Sequence, residues 1–341
     1  MQKPGVVTTP KLQGKALLTG ASGFIGGRLR DSLLAQGVDV LAIRRRGSPE
    51  AKKGRSVALE YDDREGLSRL MRNEKPDYVF HVAGATKGVT LDDFRRANVM
   101  PTENLVAALK SDHPGVKRFV FMSSLTSYGP SSALRPLVET ETRRPIEFYG
   151  ESKLEAEQAV EAAGSSIPWT ILRPGGVYGP GDADYFNLFL QVARGLNVFF
   201  GNRKRWFSAV YADDLVDASI LAADHPGAVG EGFFVSDGEP VTWECFQSTI
   251  VTAFQETGKR KAWDLDLPEA FVSIAAAGGE LATRFDHKPR LFNKQKAKMG
   301  AQEAWTCEVG KIKERLGFEA AVKVDEGVRR SLDWYRGEKW L

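Results

Sequence analysis

Residues 16–46 read ALLTGASGFIGGRLRDSLLAQGVDVLAIRRR. An apolar strand is followed by a break at Gly20, a helix-like segment and a second apolar strand at 38–43, which is the order of a β-strand, α-helix, β-strand unit. Gly20, Gly23 and Gly26 stand between the first strand and the helix with the spacing G-x-x-G-x-x-G. Glycines at such positions permit a tight turn, a close approach of backbone to a pyrophosphate, and packing of helix on strand. The stretch therefore predicts a dinucleotide-binding loop whose helix begins at the phosphates.

Three arginines, Arg44, Arg45 and Arg46, follow the second strand of this unit. Folds that bind NAD usually place an acid here for the ribose hydroxyls, whereas guanidinium groups suit the 2′-phosphate of NADP. The alternative is that the arginines are solvated loop charges. The missing acid predicts NADP as the preferred cofactor, with NAD as the other possibility.

The rest of the N-terminal half repeats the strand and helix alternation. Strand-like runs lie at 56–59, 78–83, 118–122 and 169–172, separated by helix-compatible segments. This order predicts an α/β fold with a doubly wound parallel sheet of the Rossmann type. After residue 175 the pattern changes to longer helices, such as 183–195, and to isolated strands near 198–200 and 232–236.

These changes predict three parts. They are a loose leader at 1–13, a dinucleotide-binding domain at 14–174, and a mainly substrate-binding region at 175–341 with segments that return to the first domain. The 341 residues are long enough for one large domain with a smaller appendage.

The charge balance argues against a nucleic-acid partner and leaves a small-molecule substrate as the prediction. Lysine and arginine number 47 against 44 acidic residues, a net charge of +3. One local basic run is either a solvated face or an anion site, and it comprises Arg284, Lys288, Arg290, Lys294, Lys296 and Lys298.

The two cysteines, Cys245 and Cys307, lie far apart and show no metal-ligand spacing. Neither a disulfide framework nor a metal site is indicated, and a reducing compartment is expected. The N-terminus lacks an apolar signal core, and no apolar run approaches the roughly 18 residues that a membrane span needs. We expect a cytoplasmic protein without a membrane span.

The segment YGESK, residues 149–153, places Tyr149 four residues before Lys153. On a helix this spacing puts both side chains on one face, where an ammonium group near a phenol favours the phenolate. With an oxidised nicotinamide nearby, the lysine can lower the pKa of the tyrosine from about 10 and make it a general acid/base. Upstream, FMSSLTSYGP presents the hydroxyls of Ser123, Ser124 and Thr126 after a strand.

Several further motifs follow one another in a recognisable order. They are TGASGFIGGRL, HVAGAT, NVMPTENLVAAL, MSSLTSYGP, YGESK, LRPGGVYGPGD, YADDLVDA and the ending KIKERLGFEAAVKVDEGVRRSLDWYR. Over nearly its whole length the chain resembles an extended short-chain dehydrogenase/reductase. This family includes nucleotide-sugar epimerases and the 3β-hydroxysteroid and dihydroflavonol oxidoreductases.

The resemblance implies that Tyr149 is the catalytic acid/base, that Lys153 binds the nicotinamide ribose and tunes the tyrosine, and that Ser124 is the hydroxyl partner. Asn98 would support the site from its helix. The implied cofactor-binding set comprises Gly20, Ser22, Gly23, Phe24, Ile25, Gly26, Arg44, Arg45, Glu60, Tyr61, Ala83, Gly84, Ala85, Asn98, Ser123, Lys153, Pro174, Gly175 and Val177. Asp62 is an alternative to Glu60 at the adenine. A homodimer through a four-helix bundle, formed by the helix at 98–110 and the helix near Tyr149, is also implied.

Two departures from the family's usual motifs bear on the reaction. The first argues against dehydration, and the second argues against a nucleotide-sugar substrate. Sugar dehydratases carry Asp-Glu directly after the catalytic hydroxyl, but Leu125 and Thr126 stand here. Many nucleotide-sugar enzymes show an asparagine after the LR strand, where this chain has Pro174, Gly175 and Gly176.

The leading hypothesis is an NAD(P)-dependent oxidoreductase that moves a hydride between nicotinamide and a secondary alcohol or ketone. The alternative is a nucleotide-sugar epimerase with a retained cofactor. A third hypothesis, a cofactor-sensing regulator that lost turnover, is disfavoured because such proteins generally lose the tyrosine and lysine pair.

Overall fold

A parallel β-sheet forms the centre of the computed structural model, which describes residues 10–47, 50, 53–258, 262–271, 274, 276, 278–279, 283 and 293–341. The strands are β1 (Lys15–Thr19), β2 (Asp39–Arg44), β3 (Arg55–Ala58), β4 (Tyr78–His81), β5 (Arg118–Met122), β6 (Trp169–Pro174), β7 (Gly176–Tyr178), β8 (Leu196–Phe200), β9 (Trp206–Phe207), β10 (Ala209–Tyr211), β11 (Glu231–Val235), β12 (Val241–Thr242), β13 (Trp263–Leu267) and β14 (Ala304–Trp305).

The helices of the described residues lie mainly between these strands. They are α1 (Phe24–Ala35), α2 (Arg64–Glu74), α3 (Leu91–Phe94), α4 (Met100–Asp112), α5 (Phe148–Glu161), α6 (Ala183–Ala193), α7 (Ala212–Asp224), α8 (Trp243–Glu256), α9 (Lys294–Gly300), α10 (Gly310–Leu316) and α11 (Val324–Gly337). A π-helical turn, Arg95–Val99, joins α3 to α4. Pro101 lies just after this turn and lacks the N–H that a regular α-helix would use, which fits an irregularity at this point.

The central sheet has the strand order β11-β6-β5-β4-β1-β2-β3, and every neighbouring pair is parallel. The order in which strands are added reverses at β1, because β2 and β3 lie on one side of it and β4, β5, β6 and β11 lie on the other. Loops that follow β1 and β4 therefore diverge to opposite faces and leave a crevice at the carboxyl ends of the strands. The predicted Rossmann-type, doubly wound parallel sheet is confirmed.

Apolar side chains on both faces of the sheet explain why helices cover both sides. Successive strand residues point to opposite faces, so Leu18 packs with Leu29 of α1, while Leu17 packs in the cluster that contains Leu67 of α2 and Leu105 of α4. All five side chains are fully buried. A strand buried on both faces must be apolar throughout, as the LLT and VFH runs nearly are.

The position of β11 in the central sheet differs from the sequence prediction of an isolated strand near 232–236. β11 pairs with β6 in parallel, with Phe233 opposite Leu172, and so extends the central sheet. The prediction of an isolated strand was wrong because the two strands are separated by more than fifty residues of chain, and an apolar run does not identify its partner.

The C-terminal half adds small sheets and an aromatic core. β7 pairs with β10, β8 pairs with β13, and β9 lies between β12 and β14. Their core is aromatic, with Tyr178 edge-on to Phe246 at 5.3 Å between ring centroids and Phe207 stacked on Trp243 at 4.3 Å. The domain boundary at residue 174 stays a prediction.

Part of the basic run is described. Lys294, Lys296 and Lys298 are exposed on α9. Arg284, Lys288 and Arg290, and residues 1–9 of the predicted leader, lie outside the described residues. None of the helices in the described ranges has the length and apolar character needed to cross a membrane.

A buried polar chain links β1, β4 and α4 through His81. Thr19 Oγ1 accepts the N–H groups of Val82 and Ala83, at 3.1 and 3.0 Å, so its own proton goes to His81 Nδ1 at 2.7 Å. The other ring nitrogen, Nε2, then donates to Thr102 Oγ1 at 3.0 Å. Burial, together with the smaller effect of the Lys153 charge, lowers the pKa of His81 to about 3. His81 is therefore a neutral structural bridge.

We predict that His81 makes folding sensitive to mild acid. Its folded pKa of about 3 lies below the unfolded value of about 6.5, so its contribution is complete above about 6.5 and is lost as the pH falls from there toward 3. Between pH 8 and pH 5 the protein should lose about 2 kcal/mol more unfolding free energy than His81→Gln does. Urea unfolding at the two pH values measures this, and equal losses in the two proteins would contradict it.

Candidate active site

The glycine loop between β1 and α1 is held against the end of β4. Gly20 has φ +76°, and a Cβ there would lie 2.8 Å from the backbone nitrogen of Ala83. A Cβ on Gly26 would overlap the carbonyl oxygen of Gly20. The Gly23 N–H donates to the same oxygen at 2.9 Å and closes the turn. Only glycine fits these positions, and the first turn of α1 is left open toward the crevice.

This loop forms one wall of a cavity of about 960 Å³ at the carboxyl ends of the sheet strands. Most of the sequence-predicted site residues line the same cavity. They are Gly20, Ser22, Gly23, Phe24, Ile25, Gly26, Arg44, Arg45, Glu60, Tyr61, Ala83, Gly84, Ala85, Ser123, Tyr149, Lys153, Pro174 and Val177. Ser124, Asn98 and Gly175 are the predicted residues that do not line it.

Tyr149 and Lys153 lie one helical turn apart in the first two turns of α5. Glu147 caps this helix, and its carboxylate accepts the N–H groups of Tyr149 and Gly150 at 2.7 and 2.6 Å. Lys153 Nζ donates to the carbonyl oxygen of Met122, at the end of β5, at 2.6 Å. The cap and this hydrogen bond fix the helix start and the lysine against the sheet edge.

Ser124 lies behind the cavity wall, in the turn that follows β5. It caps the 3₁₀ turn Leu125–Ser127, and its Oγ accepts from the backbone N–H and the hydroxyl of Thr126 at 3.2 and 3.0 Å. Because both of these bonds are accepted, the Ser124 proton is available for a further acceptor, and the interaction of Ser124 with the Tyr149 hydroxyl opposes the rise in the pKa of that tyrosine. The assignment of Ser124 as the catalytic hydroxyl partner of Tyr149 stays a prediction.

Burial sets the protonation of the tyrosine and lysine pair. It raises the pKa of Tyr149 to about 12, a hydrogen bond with Ser124 opposes the rise, and the charge of Glu147 adds to it. Burial lowers the pKa of Lys153 to about 8, while the charge of Glu157 opposes that fall. The spacing predicted that Lys153 would favour the phenolate. In the chain itself the loss of hydration is the largest influence on the pKa of Tyr149, and the Lys153 ammonium donates to the Met122 carbonyl.

Asn98 supports the wall of the cavity from the π-helical turn. Its Oδ1 accepts the N–H of Ala85 at 2.7 Å, and its Nδ2 donates to the Ala85 carbonyl at 3.1 Å and to Ser152 Oγ at 2.9 Å. A Cβ on Gly84 would approach Asn98 Oδ1 to 3.0 Å and Lys153 Nζ to 3.7 Å. Asn98 therefore ties the Gly84 segment to α5.

The far end of the cavity, away from Tyr149, carries both signs of charge. Arg45 and Glu60 line it, and Glu60 Oε1 accepts the backbone N–H of Arg46 at 2.6 Å. Asp62, the alternative to Glu60, lines the same end. Burial raises the pKa of Tyr61 to about 12, against a hydrogen bond with Thr19 and the charge of Arg45.

Gly175 serves packing at the edge of the site. Its N–H donates to the carbonyl oxygen of Val235 at 3.0 Å, and a Cβ would overlap the carbonyl oxygen of Ser208. The next residue, Gly176, has no room either, because its Cβ would overlap the hydroxyl of Tyr185. A side chain at position 175 would meet backbone, whereas one at position 176 would have to displace the Tyr185 hydroxyl.

Sequence reasoning missed several cavity residues that come from distant loops. They are Thr86, Lys87, Asp93, Arg96, Asp182, Asp184 and Tyr185. Lys87 Nζ lies 3.4 Å from Asp184 Oδ1 and links the loop after β4 to the start of α6. Asp182 caps α6, and burial raises its pKa to about 6. Two of the quoted motifs include members of this group, since HVAGAT ends at Thr86 and LRPGGVYGPGD ends at Asp182.

Comparisons with known proteins agree with this geometry. The model of the NAD dependent epimerase/dehydratase family matches residues 16–235. UDP-glucose 4-epimerase of Vibrio cholerae is 28% identical over 335 residues, covering 94% of this chain and 95% of that protein. A 3-beta-hydroxysteroid dehydrogenase of Mycolicibacterium neoaurum is 31% identical over 258 residues, covering 70% of each.

A solved structure extends the similarity to a protein with a bound dinucleotide. MoeE5, in complex with UDP-glucose and NAD, is 26% identical, with a TM-score of 0.75 over 96% of this chain and 100% of that one. The relatives thus include both epimerases and dehydrogenases. The family model matches well over half of the 341 residues of this chain, and the chain therefore belongs to the NAD-dependent epimerase/dehydratase family.

Proposed function

We propose that this protein is an NAD(P)-dependent oxidoreductase that transfers a hydride between the nicotinamide and a secondary alcohol or ketone. The observation that carries the proposal is the position of Tyr149 and Lys153, one helical turn apart, in the wall of a cavity that the glycine loop also lines. Ser124 adds a hydroxyl beside the tyrosine. An acid/base and a dinucleotide loop in one cavity are what this chemistry requires.

The residues present fit a dinucleotide. The backbone at Gly20 and Gly26 leaves no room for a Cβ, and the start of α1 opens on the cavity, as a pyrophosphate site needs. Arg45 and Glu60 lie at one end, and Tyr149 and Lys153 lie in another part of the wall. Gly20, Gly23 and Gly26 would hold the pyrophosphate, and Lys153 would bind the nicotinamide ribose.

When bound, the nicotinamide supplies or accepts the hydride. The chain's own residues donate and accept the proton. In ketone reduction Tyr149, whose pKa of about 12 keeps the phenol protonated at neutral pH, donates its proton to the substrate oxygen as the hydride reaches the carbonyl carbon. In alcohol oxidation the hydroxyl proton returns to the phenolate. Ser124 donates a hydrogen bond that stabilises this phenolate, and the Lys153 ammonium adds positive charge beside it.

Two features favour hydride transfer without elimination of water. Leu125, directly after Ser124, is buried, and Thr126 donates both its N–H and its hydroxyl to Ser124. Sugar dehydratases of the family that the chain resembles carry Asp-Glu directly after the catalytic hydroxyl, whereas neither Leu125 nor Thr126 carries a carboxylate.

A nucleotide-sugar epimerase is the second candidate, and the similarity to the Vibrio cholerae epimerase over 94% of the chain favours it. Gly175 and Gly176 weigh against it, since this chain lacks here the asparagine that contacts the diphosphate in many nucleotide-sugar enzymes. An epimerase regenerates its dinucleotide at each turnover and would retain it through purification. A reductase must exchange the dinucleotide, so the purified protein should carry little, and stoichiometric retained NAD would favour the epimerase.

The homodimer through α4 and α5 stays a proposal that rests on family resemblance. Among the described residues, the large apolar side chains that are most exposed, such as Leu134 and Trp263, lie on other elements. Light scattering at assay concentration would contradict the dimer if it reported the monomer mass.

The first prediction on function concerns Tyr149→Phe, which removes the proton and keeps the ring. Turnover should fall about 10²- to 10⁴-fold, the range that general acid/base groups contribute, and dinucleotide affinity should be nearly unchanged. Lys153→Ala should lower both the turnover and the dinucleotide affinity. A screen of ketones and alcohols, followed at the absorbance of reduced nicotinamide, provides the substrate for this measurement.

Tyr128→Phe is the matched control for that experiment. Tyr128 is buried in the same region, and its hydroxyl donates to the Glu139 carbonyl at 2.9 Å, but it does not line the cavity. This variant should keep its turnover. Near-normal activity of Tyr149→Phe would remove Tyr149 from the mechanism.

A further prediction concerns the choice between the two dinucleotides. If Arg44 and Arg45 bind a 2′-phosphate, NADPH binds more tightly than NADH, and Arg44→Ala with Arg45→Ala weakens NADPH about 10- to 100-fold per lost charged hydrogen bond. NADH affinity should change little. Arg46→Ala is the control, because Arg46 lies outside the cavity lining and pairs with Asp63 at 3.8 Å. Fluorescence titrations that favour NADH, or equal effects of the three changes on NADPH, would contradict the assignment.

A further inference from the structure

Glu157 is a fully buried carboxylate two helical turns after Tyr149. Its Oε1 accepts the hydroxyls of Ser123 and Ser127, the latter at 2.7 Å. Its Oε2 accepts hydrogen bonds from Arg173 Nε and Nη2 at 3.0 and 2.9 Å, and from Arg143 Nη1 at 2.9 Å. One carboxylate thus joins the end of β5, strand β6 and helix α5.

The position of this carboxylate matters because of what its partners carry. Ser123 lines the cavity and precedes the cap residue Ser124, and Ser127 is the last residue of the turn that Ser124 caps. On α5, residues 149, 153 and 157 follow the i, i+4, i+8 spacing and share one face of the helix. Glu157 therefore connects the two pieces of chain that must hold Ser124 beside Tyr149.

We propose that Glu157 is a positioning residue of this active site, whose carboxylate fixes the Ser124 turn against the helix that carries Tyr149 and Lys153. The inference rests on the proposed function and adds a role that neither the resemblance nor the Y-x-x-x-K spacing assigns. Glu157 lies outside the cavity lining, so it acts through its neighbours.

The electrostatics support an ionised Glu157 that also acts on Lys153. Burial raises the pKa of Glu157, but the charge and hydrogen bonds of Arg173 and the hydroxyls of Ser123 and Ser127 outweigh this and bring its pKa below the ordinary value. The carboxylate is an anion at neutral pH. Its charge opposes the effect of burial on the pKa of Lys153.

The other groups that face Lys153 add little negative charge. From β5, the Met122 carbonyl oxygen accepts a hydrogen bond from Lys153 Nζ, and the centroid of the Phe121 ring lies 4.5 Å from the same nitrogen. From β4, His81 is neutral, with a pKa of about 3, and on α5 itself the Tyr149 phenol is protonated. Glu157 is the anion that favours the ammonium form of Lys153.

Glu157 could be buried only because it forms structural ion pairs with arginines. A change at Glu161 distinguishes this structural role from the positioning role. Glu161 belongs to the same network and accepts both terminal nitrogens of Arg143 at 2.8 Å, but its hydrogen bonds do not reach Ser123 or Ser127. Its side chain is 30% exposed. Glu161→Gln therefore perturbs the ion pairs and leaves the Ser124 turn in place.

The test compares Glu157→Gln with Glu161→Gln in two measurements. Turnover of Glu157→Gln should fall about 10²-fold, since small displacements of catalytic groups have effects of that size, with a smaller change in KM. The pKa of Lys153, followed by NMR of ¹³C-labelled lysine and assigned with Lys153→Arg, should move to a lower value in Glu157→Gln and stay unchanged in Glu161→Gln.

Ser127→Ala keeps the proposal testable if Glu157→Gln does not fold, because it removes no charge and only one hydroxyl, whose proton can go to Glu157 or to the Ser124 carbonyl oxygen at 2.9 Å. Its turnover should fall about tenfold, the size of one such bond. The proposal is overturned if Ser127→Ala keeps full turnover, or if the two Gln variants lose turnover equally and share one Lys153 pKa. Failure of the unchanged protein to bind a dinucleotide would instead defeat the proposed function, and the NMR comparison would still decide the link between Glu157 and Lys153.

Discussion

The steric contact between Gly26 and Gly20 is the constraint on which the site depends. With no side chain at either position, the turn after β1 can fold onto the end of β4 and deliver the start of α1 to the crevice. A Cβ at Gly26 would displace the Gly20 carbonyl, the same oxygen that accepts the Gly23 N–H and closes the loop. The geometry of the cavity therefore begins with backbone that lies closer to backbone than any side chain allows.

A second layer of order comes from buried polar groups that satisfy one another at the carboxyl ends of the strands. Thr19, His81 and Thr102 form a continuous chain, which Asn98 extends to Ala85 through its amide. A buried polar group without a partner is costly, so each member constrains the next. The result is a wall whose loops are fixed before any substrate contacts them.

Burial then determines the chemistry of the groups that this framework holds. The same loss of hydration raises the pKa of Tyr149 and lowers that of Lys153, so it favours the neutral form of both. Ser124 and Glu157 act in the opposite direction, one by a hydrogen bond and one by charge. The site thus holds a protonated phenol that suits proton donation, next to a lysine whose charge depends on a carboxylate deeper in the protein.

The sequence by itself determined the features that depend on near neighbours in the chain. The glycine spacing identified the loop, apolar runs identified the strands of the parallel sheet, and the interval from Tyr149 to Lys153 placed both on one face of α5. Only the tertiary structure decided that β11 joins β6, that Lys87 and Asp184 meet at the cavity, and that Arg173 and Glu157 are buried together. It also decided how deeply Tyr149 and Lys153 are buried, and this burial raises the pKa of the tyrosine and lowers that of the lysine. Local periodicity encodes what lies within one element, whereas strand partners, burial and long-range charge pairs exist only after distant segments have packed together.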